Sequence, residues 1–292
     1  MIVNLLLPLV LAFIMFSLGL GLRCGDFALV MKFPRAFTVG LLNQLVLLPL
    51  VALLLAHAFG LSPVFAVGLM ILALCPGGVT SNLLAKLAGG NAPLSISLTA
   101  IVSLVSILTV PILVSLSISH FMNEDPLRVD VTALGLKMFL LTALPVSIGM
   151  IWTARFPSSA ERIGPAVSRV AIGLFALIIV AALAKNWEIF SSNFTILAPV
   201  AIGLNLVMLG LGLLSGLTIG LNKRDSTTIS IESGVQNGTL AIAVGSFIAA
   251  GGGQVLPPET VPGAVYSITM YLVCLPFVLW RSRLHKQSAV TS

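Results

Sequence analysis

The chain has 292 residues, of which 58% are hydrophobic and 8% charged, and its mean hydropathy is +1.13. Soluble globular domains carry about a quarter charged residues, so this composition excludes a soluble fold. The formal net charge of +6 comes from basic residues scattered in short gaps between apolar runs, which excludes the clustered basic surface of a nucleic-acid-binding protein. We expect one membrane domain over residues 1–292, embedded in a lipid bilayer.

Apolar runs recur from one end of the chain to the other. Nine of them can be marked, at 2–22, 36–57, 64–87, 93–119, 131–154, 165–184, 195–221, 227–250 and 261–280. Runs of about 20 residues match a ~30 Å hydrocarbon core at a helical rise of 1.5 Å per residue. The alternating pattern of a membrane barrel is absent from the sequence. The sequence therefore predicts an all-α polytopic membrane protein with nine transmembrane helices.

The basic residues predict the orientation of these spans. If the runs alternate in direction, twelve of the 15 Lys and Arg residues lie on one side, namely Arg23, Lys32, Arg35, Lys86, Arg155, Arg162, Arg169, Lys223, Arg224, Arg281, Arg283 and Lys286. The other side holds Arg128, Lys137 and Lys185. Since cytoplasmic loops are enriched in Lys and Arg, we expect a cytoplasmic C-terminus and an external N-terminus in the inner or plasma membrane.

Two of the nine runs contain helix breakers beside polar residues. The third holds Pro76-Gly77-Gly78, and in the eighth Gly234 and Gly238 flank a polar cluster. Irregular backbone at membrane depth is tolerated where it is buried in protein or lines a cavity, and paired interrupted spans indicate the binding site of a transporter. The alternative is that Pro and Gly are simply common in membrane helices, but the other prolines of the runs lack a neighbouring polar cluster. We therefore predict a transport site between the two breaks.

Glu232 lies inside the second of these interrupted runs, in "IESGVQNGTLAIAV". No Lys or Arg stands at a comparable depth in any run, so the partner of the carboxylate is either a proton or a cation from solution. Candidate oxygen ligands for a hard cation come from Gln44, Ser81, Asn82, Ser95, Thr99 and Gln236. Ser95 and Thr99 are four residues apart and share one helix face. Sodium is the first candidate, although each hydroxyl could instead serve helix packing.

The Pro-Gly-Gly break also predicts an anion site. A half-helix that starts after Gly78 presents its first free amides to the cavity, and helix N-termini favour anions. Together with Asn237, these amides would bind a solute that carries a carboxylate. The expected small-molecule partner is therefore an organic anion.

The two polar segments resemble the bile acid:sodium symporter family. The likeness is carried by "CPGGVTSNLLAKLAGGNAPLSISLTA" (75–100) and "ESGVQN" (232–237), and it extends over nearly the whole chain. It implies inverted-topology halves and coupling to two Na⁺ ions. It also implies a core domain with two crossing interrupted helices, about 36–119 and 195–250, and a panel domain of 2–22, part of 131–184 and 261–280.

The resemblance also assigns residues to sites. It implies one sodium site at Ser81, Asn82, Ser95, Thr99 and Glu232. It implies a second at Gln44, Glu232, Gln236 and the backbone carbonyls of Ser233 and Val235. Solute-binding positions fall at Val79, Thr80, Asn237 and Tyr266. Val79 and Tyr266 differ from some relatives, so the resemblance does not identify the solute. A bile acid, a small 2-keto or hydroxy acid and a sulfonated conjugate all suit the site.

Rival functions remain open at this point. Glu232 could carry a proton instead of binding sodium, and Cys75 suggests arsenite transport if it is more than a packing residue. An intramembrane enzyme would need a nucleophile with a base, yet His57 and His120 stand at loop edges and His285 in the tail, so no Ser–His or metal arrangement is visible. The three cysteines, Cys24, Cys75 and Cys274, indicate no disulfide framework. We expect neither enzymatic activity nor a scaffold role, and the sequence indicates no protein partner.

Overall fold

The computed structural model describes residues 2–23, 25–26, 29–123, 130–248 and 256–290, with the backbone alone at 2–6, 29–30, 79 and 285–290. Every regular element in these ranges is a helix. The first half contains α1 (Ile2–Leu20), a 3₁₀ turn (Leu29–Lys32), α2 (Pro34–Leu42), α3 (Leu48–Ala58), α4 (Pro63–Leu74), α5 (Val79–Leu87) and α6 (Ala92–Met122). The second contains α7 (Val131–Met138), α8 (Leu144–Arg155), α9 (Pro157–Lys185), α10 (Trp187–Thr218), α11 (Lys223–Gly234), α12 (Gly238–Ile248), a 3₁₀ turn (Pro258–Thr260) and α13 (Val261–Val290).

Several of these helices are long and apolar enough to cross a membrane. Six such stretches occur in the described residues: Pro34–Ala58, Ala92–Met122, Val131–Arg155, Pro157–Lys185, Trp187–Thr218 and Pro258–Leu284. Two shorter apolar helices, Leu7–Leu20 and Pro63–Leu74, accompany them. The expectation of an all-helical, multi-pass membrane protein is confirmed, whereas the count of nine spans stays a prediction.

Two predicted boundaries differ from the structure. The sixth and seventh runs were predicted at 165–184 and 195–221, but α9 and α10 begin at Pro157 and Trp187. In each case the first two helical turns contain polar residues such as Arg162 and Asn193, so an apolar-run criterion misses them. Only Asn186 separates the two helices, and its side chain donates to the carbonyl oxygens of Ala182 and Leu256.

Both predicted interruptions are confirmed. Between α4 and α5 the chain is extended at Cys75, with φ −73° and ψ 151°, as expected for a residue that precedes proline. Pro76 has no N–H with which to continue α4, so the helix stops there. Between α11 and α12 the chain is extended at Val235, with φ −103° and ψ 116°. Each interrupted run thus consists of two short helices that face each other across an unwound segment.

Two further helices contain a single π-helical turn. Asn43–Leu47 joins α2 to α3, and Phe139–Ala143 joins α7 to α8. A proline follows each turn at the second position of the next helix, Pro49 and Pro145. The missing proline N–H and the bulk of its ring disfavour the regular α-helical pattern in the preceding turn. The first of these turns brings Gln44 into the protein interior, where its side chain is only 6% exposed.

Small residues allow two close helix pairs. Gly212 and Gly216 of α10 face Ser230 and Ser226 of α11, where an added Cβ would lie 2.7 Å from the nearest atom. On the other side of the molecule, Gly149 of α8 lies directly against the backbone of α1. Such contacts between small residues are the usual basis of helix association in membranes. They fix α11 against α10 on one side and α8 against α1 on the other.

Candidate functional site

The unwound segments of the two interrupted helices meet in the interior of the bundle. The backbone N–H of Asn237 donates to the Pro76 carbonyl oxygen at 2.9 Å. An added Cβ on Gly77 would lie 3.1 Å from Oε2 of Glu232 and 3.5 Å from the carbonyl oxygen of Val235. This close approach favours glycine at position 77, because an added Cβ would push the neighbouring oxygens away by a few tenths of an ångström. The two breaks therefore meet in direct backbone contact, at a point that we call the crossing.

Glu232 is held by hydroxyl groups from α6. Its side chain is 6% exposed and lies in the last turn of α11. Ser95 donates to its Oε1 at 2.5 Å, and Thr99 donates to its Oε2 at 2.8 Å. The Oδ1 atom of Asn82 lies 2.8 and 3.2 Å from the same two hydroxyl oxygens and is an alternative acceptor for their hydrogens, and the Ser81 hydroxyl lies 3.5 Å from that of Thr99. All five residues predicted for the first sodium site form one cluster.

No cationic side chain contacts the Glu232 carboxylate in the described part of the chain. Its contacts are the hydroxyls of Ser95, Thr99 and Ser81 and the backbone around Gly77. A buried carboxylate in a membrane domain needs compensation by a proton, a cation or strong hydrogen bonds. The residues around Glu232 offer uncharged hydroxyl and amide oxygens. Such oxygens, together with a carboxylate, are typical ligands of a hard monovalent or divalent cation.

The residues predicted for the second sodium site form an adjacent group around two paired amides. The Nε2 atom of Gln44 donates to Oε1 of Gln236 at 2.7 Å and to the Cys75 carbonyl at 3.2 Å. In return, Nε2 of Gln236 donates to Oε1 of Gln44 at 3.3 Å and to the Ser233 carbonyl at 3.1 Å. Val235 is completely buried beside them. Because the two amide groups bond to each other, each side-chain oxygen already accepts a hydrogen bond from an N–H group in this arrangement.

The two groups of predicted ligands are distinct in their hydrogen bonding. Glu232 bonds to the hydroxyl cluster, whereas Gln44 and Gln236 bond to each other and to backbone carbonyls. They are linked through Gly77, which lies beside both Glu232 and the Val235 carbonyl. The structure thus brings every residue of the two predicted sodium sites to the same crossing.

Two of the predicted solute-binding residues line a small cavity on one side of this crossing. The cavity has a volume of about 40 Å³ and lies between the crossing, with Gly78, Thr80 and Asn237, and the helices α1 and α9, with Ser17 and Phe175. The Oδ1 atom of Asn237 accepts from the amide of Leu240 and thereby caps α12. The side chain of Val79 lies outside the described residues.

A larger cavity adjoins the first, because Met15 lines both. It has a volume of about 190 Å³ and is lined by α1 and α8 on one side and by α6 and α12 on the other. Its walls are mainly apolar, with the hydroxyls of Ser103, Ser106, Thr142 and Ser147. Thr142 belongs to the second π-helical turn, so both π turns carry residues that face the crossing region or its cavities.

Comparison with known protein families matches residues 8–193 to the Sodium Bile acid symporter family. This segment is more than half of the chain and includes the first interrupted helix. The chain belongs to the sodium bile acid symporter family. The resemblance predicted from the two polar segments is confirmed, and this is a family of transporters and not of enzymes, as expected.

Relatives in the symporter family align across most of this chain. The probable sodium/metabolite cotransporter BASS2 of Oryza sativa subsp. japonica chloroplasts is 29% identical over 94% of it. The uncharacterized sodium-dependent transporter YocS of Bacillus subtilis is 28% identical over 88% of it. The sodium-dependent organic anion transporter of Rattus norvegicus is 32% identical over 79% of it. The matched regions represent 63%, 77% and 62% of these relatives' own lengths.

Tyr266, the fourth predicted solute-binding position, does not line either of the two cavities described above in this symporter-family chain. Its side chain is completely buried, and its hydroxyl donates to the Gly234 carbonyl at 2.6 Å. Asn205, in the middle of α10, donates to the same carbonyl at 2.6 Å and to the Tyr266 hydroxyl at 3.1 Å. Sequence reasoning missed Asn205, although a lone Asn within an apolar run was a usable signal. The two side chains together bind the last carbonyl of α11, directly before the break.

Tyr271 and Arg281 were also missed. The phenol of Tyr271 lies near the side chain of Thr80, beside the smaller cavity. Arg281, predicted as a cytoplasmic loop residue, is only 5% exposed and donates from Nε to the Thr227 hydroxyl at 2.9 Å and from Nη2 to the Lys223 carbonyl at 3.2 Å. A basic residue at the end of an apolar run does not reveal from sequence that another helix will bury it.

The two cysteines in the described part of the chain are free and buried. Cys75 stands at the first break, where its carbonyl accepts from Gln44, and Cys274 lies 3.6 Å from the Asn205 side chain. Among the described residues no group of three or more His, Cys, Asp or Glu side chains is suited to a metal ion. Cys24 lies outside the described residues.

Proposed function

We propose that this chain is a secondary active transporter that carries an organic anion into the cytoplasm together with two Na⁺ ions. The observation that carries the proposal is the Glu232 carboxylate, which lies between the two helix breaks with hydroxyl and amide oxygens around it. In the described residues it has no cationic side-chain partner, so a cation from solution is the natural compensation for its charge.

The chemistry of the cluster fits sodium as a transported ion. A hydroxyl donates one proton but also has lone pairs, so Ser95 and Thr99 can turn their hydrogens away from Glu232 and direct oxygen toward a cation. Asn82 already presents its Oδ1 atom to these two hydroxyls. The first ion would therefore bind at Ser81, Asn82, Ser95, Thr99 and Glu232 without a large rearrangement of the backbone.

A second ion would bind where the two glutamines meet. Rotation of the Gln44 and Gln236 amides would exchange their mutual N–H···O bonds for oxygen contacts with the ion, and the carbonyls of Ser233 and Val235 would add two ligands. Binding of two Na⁺ with one monoanion gives a net charge of +1 per cycle. We therefore expect uptake to generate a current.

The carboxylate of the anion would bind beside the crossing, at the smaller cavity, and the rest of the solute would extend beyond its volume of about 40 Å³. The first amides of α5 lack a side-chain cap at Gly78, and Thr80 and Asn237 line the same cavity. Anions bind favourably at such helix N-termini. The backbone at Val79 would contribute one of these amides. For Tyr266 we propose a positioning role through the Gly234 carbonyl in place of direct contact with the solute.

We propose a division into two bodies that move against each other. Helices α1, α8 and α9 pack together, and we assign them to the panel with α7, which continues into α8 through the second π turn. α13 packs against α4, α10 and α12, so we assign it to the core, which differs from the panel assignment predicted for 261–280. Solute and ions would bind between panel and core, and movement of the panel would expose them to alternate sides of the membrane.

The proposed topology has nine spans. Counting each interrupted helix pair as one span and adding α1 to the six long stretches gives this number. An external N-terminus and a cytoplasmic C-terminus in the inner or plasma membrane then follow from the distribution of Lys and Arg. The printed names of the relatives, which include a sodium-dependent organic anion transporter, support sodium coupling and an anionic solute.

The test is thermal unfolding of the detergent-purified protein as a function of Na⁺, with K⁺ replacing it at constant ionic strength. A ligand that binds the folded state raises the melting temperature by mass action. We expect a sodium-specific rise that disappears in Glu232→Gln, whose side chain has the same size but no charge. The matched control is Glu161→Gln, because Glu161 is exposed on α9.

The proton-coupled alternative makes a different prediction. Under it, Na⁺ and K⁺ would stabilise the wild type equally, and that result would contradict sodium coupling. If sodium-specific stabilisation is found, uptake of a conjugated bile acid and of a small 2-keto acid into proteoliposomes would be measured under an inward Na⁺ gradient. A current that accompanies uptake is expected, and electrically silent uptake would exclude the two-sodium stoichiometry for a monoanion.

A further inference from the structure

Two histidines meet at the membrane end that we propose as external. His57 lies near the end of α3 and His120 near the end of α6, and both side chains are exposed. Their Nε2 atoms are 3.2 Å apart although the residues are 63 positions apart in the chain. The ring of Phe121 packs against both, with centroid distances of 5.1 and 4.8 Å. The pair is thus held in place by its neighbours.

The second contact of His57 indicates which ring nitrogen carries the hydrogen in the neutral form. Its Nδ1 atom lies 2.9 Å from the Leu53 carbonyl oxygen, which can only accept a hydrogen bond. We therefore assign the hydrogen to Nδ1, so that in the neutral ring Nε2 carries a lone pair directed toward His120. Metal-binding histidines characteristically donate their other ring N–H to a carbonyl or carboxylate in this way, which fixes the orientation of the ligand nitrogen.

The spacing of the two nitrogens suits a single metal ion. Zn²⁺ binds imidazole nitrogen at about 2.0–2.1 Å, so two ligands 3.2 Å apart subtend an angle of about 100° at the ion, near the tetrahedral value. Because both side chains are exposed, water can complete the coordination. We propose that His57 and His120 form an external binding site for a metal ion that prefers imidazole ligands, such as Zn²⁺.

Occupation of this site would join the outer ends of two functional helices. α3 continues through the first π turn to Gln44, and α6 carries Ser95 and Thr99. The competing explanation is a simple hydrogen bond in which His120 donates from Nε2 to His57. That arrangement requires no metal, and the experiment distinguishes the two.

The experiment is thermal unfolding of the tag-free protein in detergent with Zn²⁺, and with Mg²⁺ at the same concentration as the comparison. Imidazole binds Zn²⁺ far better than Mg²⁺. At ten times the dissociation constant we expect the melting temperature to rise by about 3 °C, reversibly on addition of chelator. Equilibrium dialysis should find one bound Zn²⁺ per chain. Both His57→Ala and His120→Ala should abolish the shift and the bound ion, since each removes one of two ligands.

Two control variants address other ligands. His285→Ala and Cys24→Ser should retain the Zn²⁺ shift. The melting temperature of each variant without metal identifies one that has failed to fold, and dialysis then reports on binding independently of stability. The proposal is overturned if Zn²⁺ stabilises no better than Mg²⁺, if either single His variant keeps full binding, or if Cys24→Ser abolishes it.

Discussion

Gly77 provides the sharpest test of the first sodium site, because a single methyl group can be introduced beside it. An added Cβ would lie 3.1 Å from Oε2 of Glu232 and 3.1 Å from Oγ of Ser81. Ordinary van der Waals contact begins at 3.4 Å, so each oxygen must move by about 0.3 Å. Gly77 is not among the glycines with positive φ, so its backbone accepts alanine without strain. The substitution Gly77→Ala therefore displaces two predicted ligands and leaves the fold intact.

The displacement can be converted into an expected loss of affinity. Oxygen ligands of Ca²⁺, an ion of similar size, lie at about 2.4 Å. Each carboxylate oxygen carries about half a unit charge, so moving one from about 2.4 to about 2.7 Å weakens its Coulomb interaction with a monovalent ion by about 0.4 kcal/mol at an effective dielectric constant of 20. This corresponds to about a twofold loss, and displacement of the Ser81 hydroxyl adds to it. We expect sodium affinity to fall about two- to fivefold.

The assay is the sodium midpoint of thermal stabilisation, measured for the wild type, Gly77→Ala and Gly78→Ala. Gly78 is a matched control, because an added Cβ there meets no atom closer than 3.8 Å and its φ of −134° suits alanine. We expect the midpoint to shift for Gly77→Ala alone. An unchanged midpoint in Gly77→Ala, or an equal shift in Gly78→Ala, would refute the assignment of the first ion to this cluster.

Two further predictions concern the framework around the breaks. Asn205→Leu and Tyr266→Phe each remove one donor from the Gly234 carbonyl, so each should lower the free energy of unfolding by about 1 kcal/mol. The double variant should lose more than the sum, because the buried carbonyl is then unpaired. Chemical unfolding of the wild type and the three variants measures these losses, and strict additivity would argue against a shared acceptor. Gly238→Ala would place its Cβ against the Ser267 side chain and should lower the free energy of unfolding by about 3 kcal/mol, with a lower yield of monodisperse protein in gel filtration. Adding Ser267→Gly to this variant should restore part of that yield. No recovery would contradict this packing.

The chemistry of the site could be predicted from local sequence because its causes are local. Pro76 ends α4 wherever that helix is placed, since a missing N–H and a bulky ring act within one turn. Glu232 in an apolar run requires compensation in any membrane fold, because the bilayer supplies none. The two breaks, the oxygen-rich ligand set and the family resemblance all depend on such short segments.

Other features were decided only by the tertiary structure, because they depend on which helices meet. Tyr266 binds a carbonyl at the end of α11, although the resemblance suggested the solute site, and Arg281 is buried by a neighbouring helix. His57 and His120 were assigned to loop edges without a function, but packing of α3 and α6 brings their rings together. A single sequence records what each residue can bind, whereas the distance between residues far apart in the chain is fixed by helix packing.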